Sequence, residues 1–258
     1  MYLLDSHCDT PSQILRLRDL SIDNDHSHVD FPKLFRGGVD GAFFALYVPA
    51  SMQESDAYTY SYRLLDAVRS AVVKNPDKAS FAVSHAQALS NKDAGLFSVF
   101  LGLENGSPIG TNMERLREYY DAGVRYVTLC HTGNNEICDS CAQTDPRWNG
   151  LSPFGREVVA EMNRLGIMVD ISHAADQTVR DVLEVSEAPI IASHSSARAL
   201  CSHRRNLPDD LLRAIAMRDG VIQVTIYNEF VKDEPGATIQ DYIAHINHVV
   251  EVAGMFQI

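Results

Sequence analysis

Cysteine is scarce and odd in number. The five are Cys8, Cys130, Cys138, Cys141 and Cys201. That set argues against a disulfide-stapled scaffold and favours free thiols in a reducing cytosol, so a cytoplasmic location is expected. Basic residues are also in short supply, 22 against 34 acidic, for a formal net charge of -12. Nucleic acid and anionic membranes both select basic surfaces, so neither is an expected partner. No run approaches the roughly 18 apolar residues of a membrane-spanning helix. The first five residues, Met1 to Asp5, lack a basic stretch and reach an acid at once, so no signal peptide is expected. No glycine-rich phosphate loop follows the first apolar run, which removes the dinucleotide-binding signature.

What is present is a regular alternation. Apolar runs of strand length occupy residues 3–7, 41–48, 96–103, 125–129, 167–171, 188–192 and 220–225. Helical patterns fill residues 54–74, 112–122, 153–165, 175–185, 208–218 and 239–253. In the first, Leu64, Leu65, Val68, Ala71 and Val72 recur at three- and four-residue spacing. In the third, a proline opens the helix and Gly166 follows its end. Strand and helix alternating throughout means a parallel α/β architecture. With 258 residues and 45% hydrophobic content, the chain suits one (β/α)8 TIM-type barrel domain over residues 1–258. A doubly wound open sheet is the alternative. Residues 255–258 read as an eighth strand just beginning, so the expected barrel is truncated at its C-terminus, before or within strand eight.

The strand ends carry the chemistry. In such a barrel, the C-terminal ends of the strands point side chains into one mouth. The first strand delivers His7 and Asp9, two residues apart and so on one face of an extended chain. Later strands deliver Glu104, His131, His173 and His194. Imidazole and carboxylate are the usual ligands of zinc and similar divalent ions. His173 and His194 suit one ion and His7 with Asp9 a second, with Glu104 placed to bridge them. Two ions about 3.5–4 Å apart activate a bridging water for hydrolysis.

Other polar clusters have plainer readings. His26 and His28 follow Asp23-Asn24-Asp25 in a polar stretch and read as solvated or structural. His245 and His248 fall on the last helix, outside the barrel. Cys138 and Cys141 form a lone Cys-x-x-Cys, two ligands short of a structural zinc. Arg204 and Arg205 stand in a rim loop, where an arginine binds a substrate carboxylate in two-pronged fashion or pairs with Asp209 or Asp210.

With these residues in view, the chain resembles the membrane (renal) dipeptidase family of zinc peptidases over its whole length. The matching segments include Asp5-Ser6-His7-Cys8-Asp9, Gly102-Leu103-Glu104-Asn105-Gly106, Thr128-Leu129-Cys130-His131, Val169-Asp170-Ile171-Ser172-His173 and Ser193-His194-Ser195-Ser196-Ala197, with Arg204 to Asp210. The resemblance implies two zinc ions held by His7, Asp9, Glu104, His173 and His194, with Glu104 bridging. It gives His131 a role in contacting substrate and stabilising the tetrahedral intermediate, and Arg205 a role in binding substrate. It implies hydrolysis of dipeptides, including those with a C-terminal D-residue. The family's Asp-Phe-Asp-Gly-like segment on strand eight, whose aspartate handles a proton, has no counterpart before Ile258. A dipeptide is thus the expected substrate, and a homodimer a candidate assembly. The alternatives are another binuclear-metal amidohydrolase on the same barrel and a non-catalytic metal-binding fragment.

Overall fold

The architecture is that of a computed structural model, described over residues 1–255. In chain order the elements are β1 (Leu4–Cys8), α1 (Thr10–Leu15), α2 (Phe31–Arg36), β2 (Gly41–Tyr47), α3 (Glu54–Val73), β3 (Ala79–Phe81), α4 (His85–Asp93) and β4 (Phe97–Glu104). After a 3-10 turn at Ser107–Ile109 come α5 (Met113–Asp121), β5 (Val124–Thr128), α6 (Pro153–Leu165), β6 (Met168–Asp170), α7 (Asp176–Val185) and β7 (Ile191–Ala192). The chain then runs through α8 (Asp209–Ala216), β8 (Val221–Ile222), α9 (Asn228–Val231) and α10 (Ile239–Ala253).

Among the described residues every pairing between strands is parallel, and seven strands follow one another in the order β1-β2-β4-β5-β6-β7-β8. They form an open barrel with helices between the strands, the α/β class that the alternating pattern predicts. Among the described residues β8 and β1 do not pair. A cleft of about 420 Å³ lies there, lined by Leu4 and Ser6 on one side, Gln223 and Thr225 on the other, and Tyr242 and Ile246 from α10. The expected eighth strand falls largely on residues 256–258, outside the described residues.

The short strand β3 and the helices α4 and α9 are absent from the sequence reading. β3 is three residues long and pairs beside the start of β4, from Ala79↔Phe97 to Phe81↔Val99. Its residues, Ala79-Ser80-Phe81, form no unbroken apolar run of the kind that marks the other strands. Asp9 also departs from expectation. β1 ends at Cys8, and Asp9 is already the N-cap residue of α1, so it leaves the extended face it was expected to share with His7.

The core sits between the sheet and the helices. Every residue of β4 is buried, and so are six of the seven in β2, as befits strands covered on both faces. Tyr126 of β5 is fully buried inside the sheet, its ring centroid 4.9 Å from that of Phe43. Gly102 makes this possible, because a Cβ there would lie 2.2 Å from the Tyr126 ring. The helices start and stop on local signals. The Ser152 hydroxyl accepts from Gly155 N–H at the head of α6, and Gly166 ends that helix in a left-handed conformation at φ 81°. Thr238 and Asp241 cap α10 reciprocally.

Candidate metal centre

Glu104 ends β4 and is buried, and the chain after it is pinned in place. Asn105 has a left-handed backbone (φ 81°). Its side chain donates to Val48 O at 3.0 Å and accepts from Ser107 N and Asn135 Nδ2. Asn135 in turn donates to Leu129 O, just before His131. These bonds satisfy backbone groups that a loop under the barrel mouth would otherwise bury unpaired.

Around the Glu104 carboxylate stand four imidazoles. His7 Nε2 lies 3.4 Å from Oε2. His131, His173 and His194 place Nε2 at 3.6, 3.2 and 3.7 Å from Oε1. The Nε2 atoms of His173 and His194 are 3.0 Å apart. Two groups therefore form, His7 with Glu104 and His194, and Glu104 with His131 and His173. Asp9 sits at the mouth with its side chain 64% exposed, 3.6 Å from His7 Nε2 and outside both groups. So the chain brings His7, Glu104, His131, His173 and His194 together and leaves Asp9 at the rim.

The electrostatics follow from burial and from one carboxylate among several rings. Burial works against charge on His7, yet the Glu104 and Asp9 carboxylates outweigh it and raise His7 to about 10. Burial, helped by the Arg205 guanidinium, pushes His173 down to about 3. Burial and the neighbouring His7 hold His194 well below the ordinary range, and burial lowers His131. Burial opposes ionisation of Glu104, but the surrounding histidines more than offset it and keep it a carboxylate. Three imidazoles with lowered basicity, His131, His173 and His194, crowd with His7 on a buried carboxylate, two of their nitrogens 3.0 Å apart, and this is a donor set that fits a divalent cation.

His173 is set by its backbone. It adopts φ 70°, and its carbonyl accepts from Cys141 N at 2.9 Å and from the Ser140 hydroxyl at 3.3 Å. The 132–152 loop is thus a built support, and Asp139 stiffens it by accepting from the N–H groups of Arg147, Trp148 and Gly150. Arg205 is buried beside the site. Its guanidinium donates to His194 O at 2.9 Å and Ser195 Oγ at 3.3 Å, lies over the Phe230 ring, and keeps Nε without a partner. The alternative pairing of the two arginines with Asp209 or Asp210 is not made. Asp210 pairs with Arg180 and Asp209 with His248.

The set-aside clusters lie outside both ligand-type groups, although the backbone of Cys141 supports His173. His245 is buried on α10, accepting from Ala197 N and facing Val231 O. Cys138 and Cys141 are buried free thiols. Tyr126 and Asp170 are functional neighbours that sequence reasoning missed. Tyr126 OH lies 2.8 Å from His7 Nδ1, and Asp170 anchors the strand ends that bear His173 and His194. An acid inside the apolar run 167–171 was the available signal for Asp170.

Residues 1–258 match the family described as membrane dipeptidase, peptidase family M19. The chain belongs to that family. It is 36% identical over 253 residues to the dipeptidase aclJ of Aspergillus oryzae, covering 94% of this chain and 60% of that protein. It is 33% identical over 273 residues to an uncharacterized dipeptidase of Schizosaccharomyces pombe, covering 99% of this chain and 67% of that one. The chain thus spans about two thirds or less of the length of these relatives. Among solved structures, a metallopeptidase from Rhodobacter sphaeroides liganded with a phosphinate mimic of L-Ala-D-Ala shares the fold, with a TM-score of 0.90 at 23% identity. That match covers 98% of this chain and 83% of that one.

Proposed function

We propose that this chain is the metal-binding barrel of a zinc-dependent dipeptidase, a single domain over residues 1–258 that takes two zinc ions. The observation that carries this reading is the shared position of Glu104 between two groups of three ligand-type side chains. Bound there, two divalent ions would supply Lewis acidity and a water activated for attack on a peptide carbonyl. His7 and His194 would hold one ion with Glu104, with Asp9 beside His7 at the rim. Glu104 and His173 would hold the other. His131, with 17% of its side chain exposed and its ring centroid 4.8 Å from that of Tyr47, faces the mouth and would contact the substrate carbonyl. Arg205 would offer its free Nε–H toward the substrate carboxylate, its two terminal nitrogens already fixing its direction.

The fungal relatives are named dipeptidases, and the Rhodobacter structure holds a mimic ending in D-Ala. The names support a dipeptide substrate, and the mimic supports one with a C-terminal D-residue. Five free cysteines support a reducing, cytoplasmic setting, and a homodimer is the proposed assembly. The test is direct. The purified chain is loaded with zinc, its metal content is measured, and hydrolysis of L-Ala-L-Ala and L-Ala-D-Ala is followed by release of free alanine. Two zinc ions per chain with turnover of both peptides is the expected result. A zinc-replete, folded chain that hydrolyses neither would overturn the reading.

A further inference from the structure

We infer that Asp170 and Ser193 form a positioning relay that sets which ring nitrogen of His194 is free to bind metal; the inference deepens the proposed metal site and rests on that reading. Asp170 is fully buried at the end of β6. One of its carboxylate oxygens, Oδ1, accepts from the backbone N–H groups of Ser172 at 3.1 Å and Ser193 at 2.9 Å. The other, Oδ2, accepts from the hydroxyls of Thr128 and Ser193, both at 2.6 Å. The two backbone N–H groups can only donate, both hydroxyls point their donors the same way, and together the four bonds fill the acceptor sites of the carboxylate.

That count fixes the next bond. Ser193 has one hydroxyl hydrogen, and it is directed at Asp170. The contact of 2.7 Å between Ser193 Oγ and His194 Nδ1 therefore runs the other way, with Nδ1–H donating to the serine oxygen. A neutral imidazole carries one N–H, so His194 Nε2 is left as a bare lone pair. It is Nε2 that faces Glu104 and His173. The backbone supports the same pose, since His194 N–H donates to the Ser172 hydroxyl at 3.1 Å. Partners of this kind behind a ligand histidine typically carry about 10–100-fold in metal affinity.

The relay makes opposite demands of two substitutions. Ser193→Ala removes the acceptor for Nδ1–H. Asp170→Asn puts an amide N–H₂ where Oδ2 was, so Ser193 must accept from it, and the serine hydrogen turns to His194 Nδ1. The ring then carries its proton on Nε2. The experiment reads the His194 tautomer by ¹⁵N chemical shifts of the ring in the metal-free full chain, and zinc affinity by competition with a chromophoric chelator. The parent chain should show Nδ1–H. Asp170→Asn should show Nε2–H. Ser193→Ala should bind zinc about 10–100-fold more weakly, and Ser193→Thr, which keeps the hydroxyl, should restore it to within about threefold. A parent chain with Nε2–H, or a folded Ser193→Ala chain with unchanged zinc affinity, would overturn the relay. If Asp170→Asn does not fold, the Ser193→Ala and Ser193→Thr pair decides the matter. Because the tautomer is read without metal, a parent chain that takes up no zinc would overturn the proposed dipeptidase and leave the relay to the ring shifts.

Discussion

Strands β2 and β4 share a register seven residues long, from Gly41↔Ser98 to Tyr47↔Glu104, whereas β6 and β7 share one aligned pair, Asp170↔Ile191. The long strands are apolar and buried, with Phe44, Leu46, Val99 and Leu103 fully covered. Their cohesion comes from the backbone ladder and from apolar area removed from water. The short strands have little ladder. In its place stands a web of side chains on Asp170, which ties Thr128 on β5 to Ser172 after β6 and Ser193 after β7. The lesson is a division of labour. The apolar half gives the sheet its stability, and the polar half fixes the direction of side chains at the mouth.

The comparison breaks first, and hardest, in the apolar half. Phe44→Ala should destabilise the chain by about 3–5 kcal/mol, the usual cost of truncating a buried phenylalanine. Urea unfolding measures it, and zinc affinity of the fraction still folded should be unchanged. A parallel loss of zinc affinity would show that the two halves are not separable.

Glu104 joins the halves, ending β4 while facing His173 and His194, which follow β6 and β7. Glu104→Gln keeps the shape and removes the charge that both ligand groups share. Dipeptide hydrolysis should fall by more than about 10²-fold, beyond the loss typical of a partner behind a ligand. Thermal melting of the metal-free chain and zinc stoichiometry, measured alongside, should show a folded chain that holds less than its full metal.

A smaller effect is expected from Thr128→Val. It deletes one of four donors to Asp170 at constant volume, and hydrogen bonds to charged groups contribute about 1.5–3 kcal/mol. Stability should fall within that range by urea unfolding, with zinc affinity less affected than in Ser193→Ala. Equal losses in the two variants would mean that the web acts through general stability rather than through the ring of His194.

The smallest difference concerns thiols on either side. Burial pushes Cys141, behind His173, up to about 11, and Cys8, on β1, up to about 12. The thiolate is the reactive form. At pH 8 both should resist iodoacetamide in the folded chain, and as pH rises toward 11 Cys141 should label ahead of Cys8. Peptide mapping by mass spectrometry reads the order. Rapid labelling of Cys8 at pH 8 would show that β1 opens readily along the cleft facing β8.

The sequence by itself determined the parallel α/β class, the strands that fall in unbroken apolar runs, and the main helices by their apolar spacing and glycine stops. It also marked Glu104, His131, His173 and His194 as strand-end residues, because a polar side chain ending an apolar run is visible without coordinates. It did not show β3, whose Ala79-Ser80-Phe81 forms no unbroken apolar run, nor that Asp9 caps α1 and lies at the rim. Tertiary structure alone decided which rings lie face to face, with His194 beside His7 and His131 beside His173, because ring packing across the barrel mouth depends on strand tilt and register. It also decided what stands behind the rings. Tyr126 meets His7 from a strand 119 residues away, and Thr128 meets Asp170 across 42. Hydrogen bonds between residues so far apart leave no period and no spacing in the chain. They exist only once the strands are laid side by side.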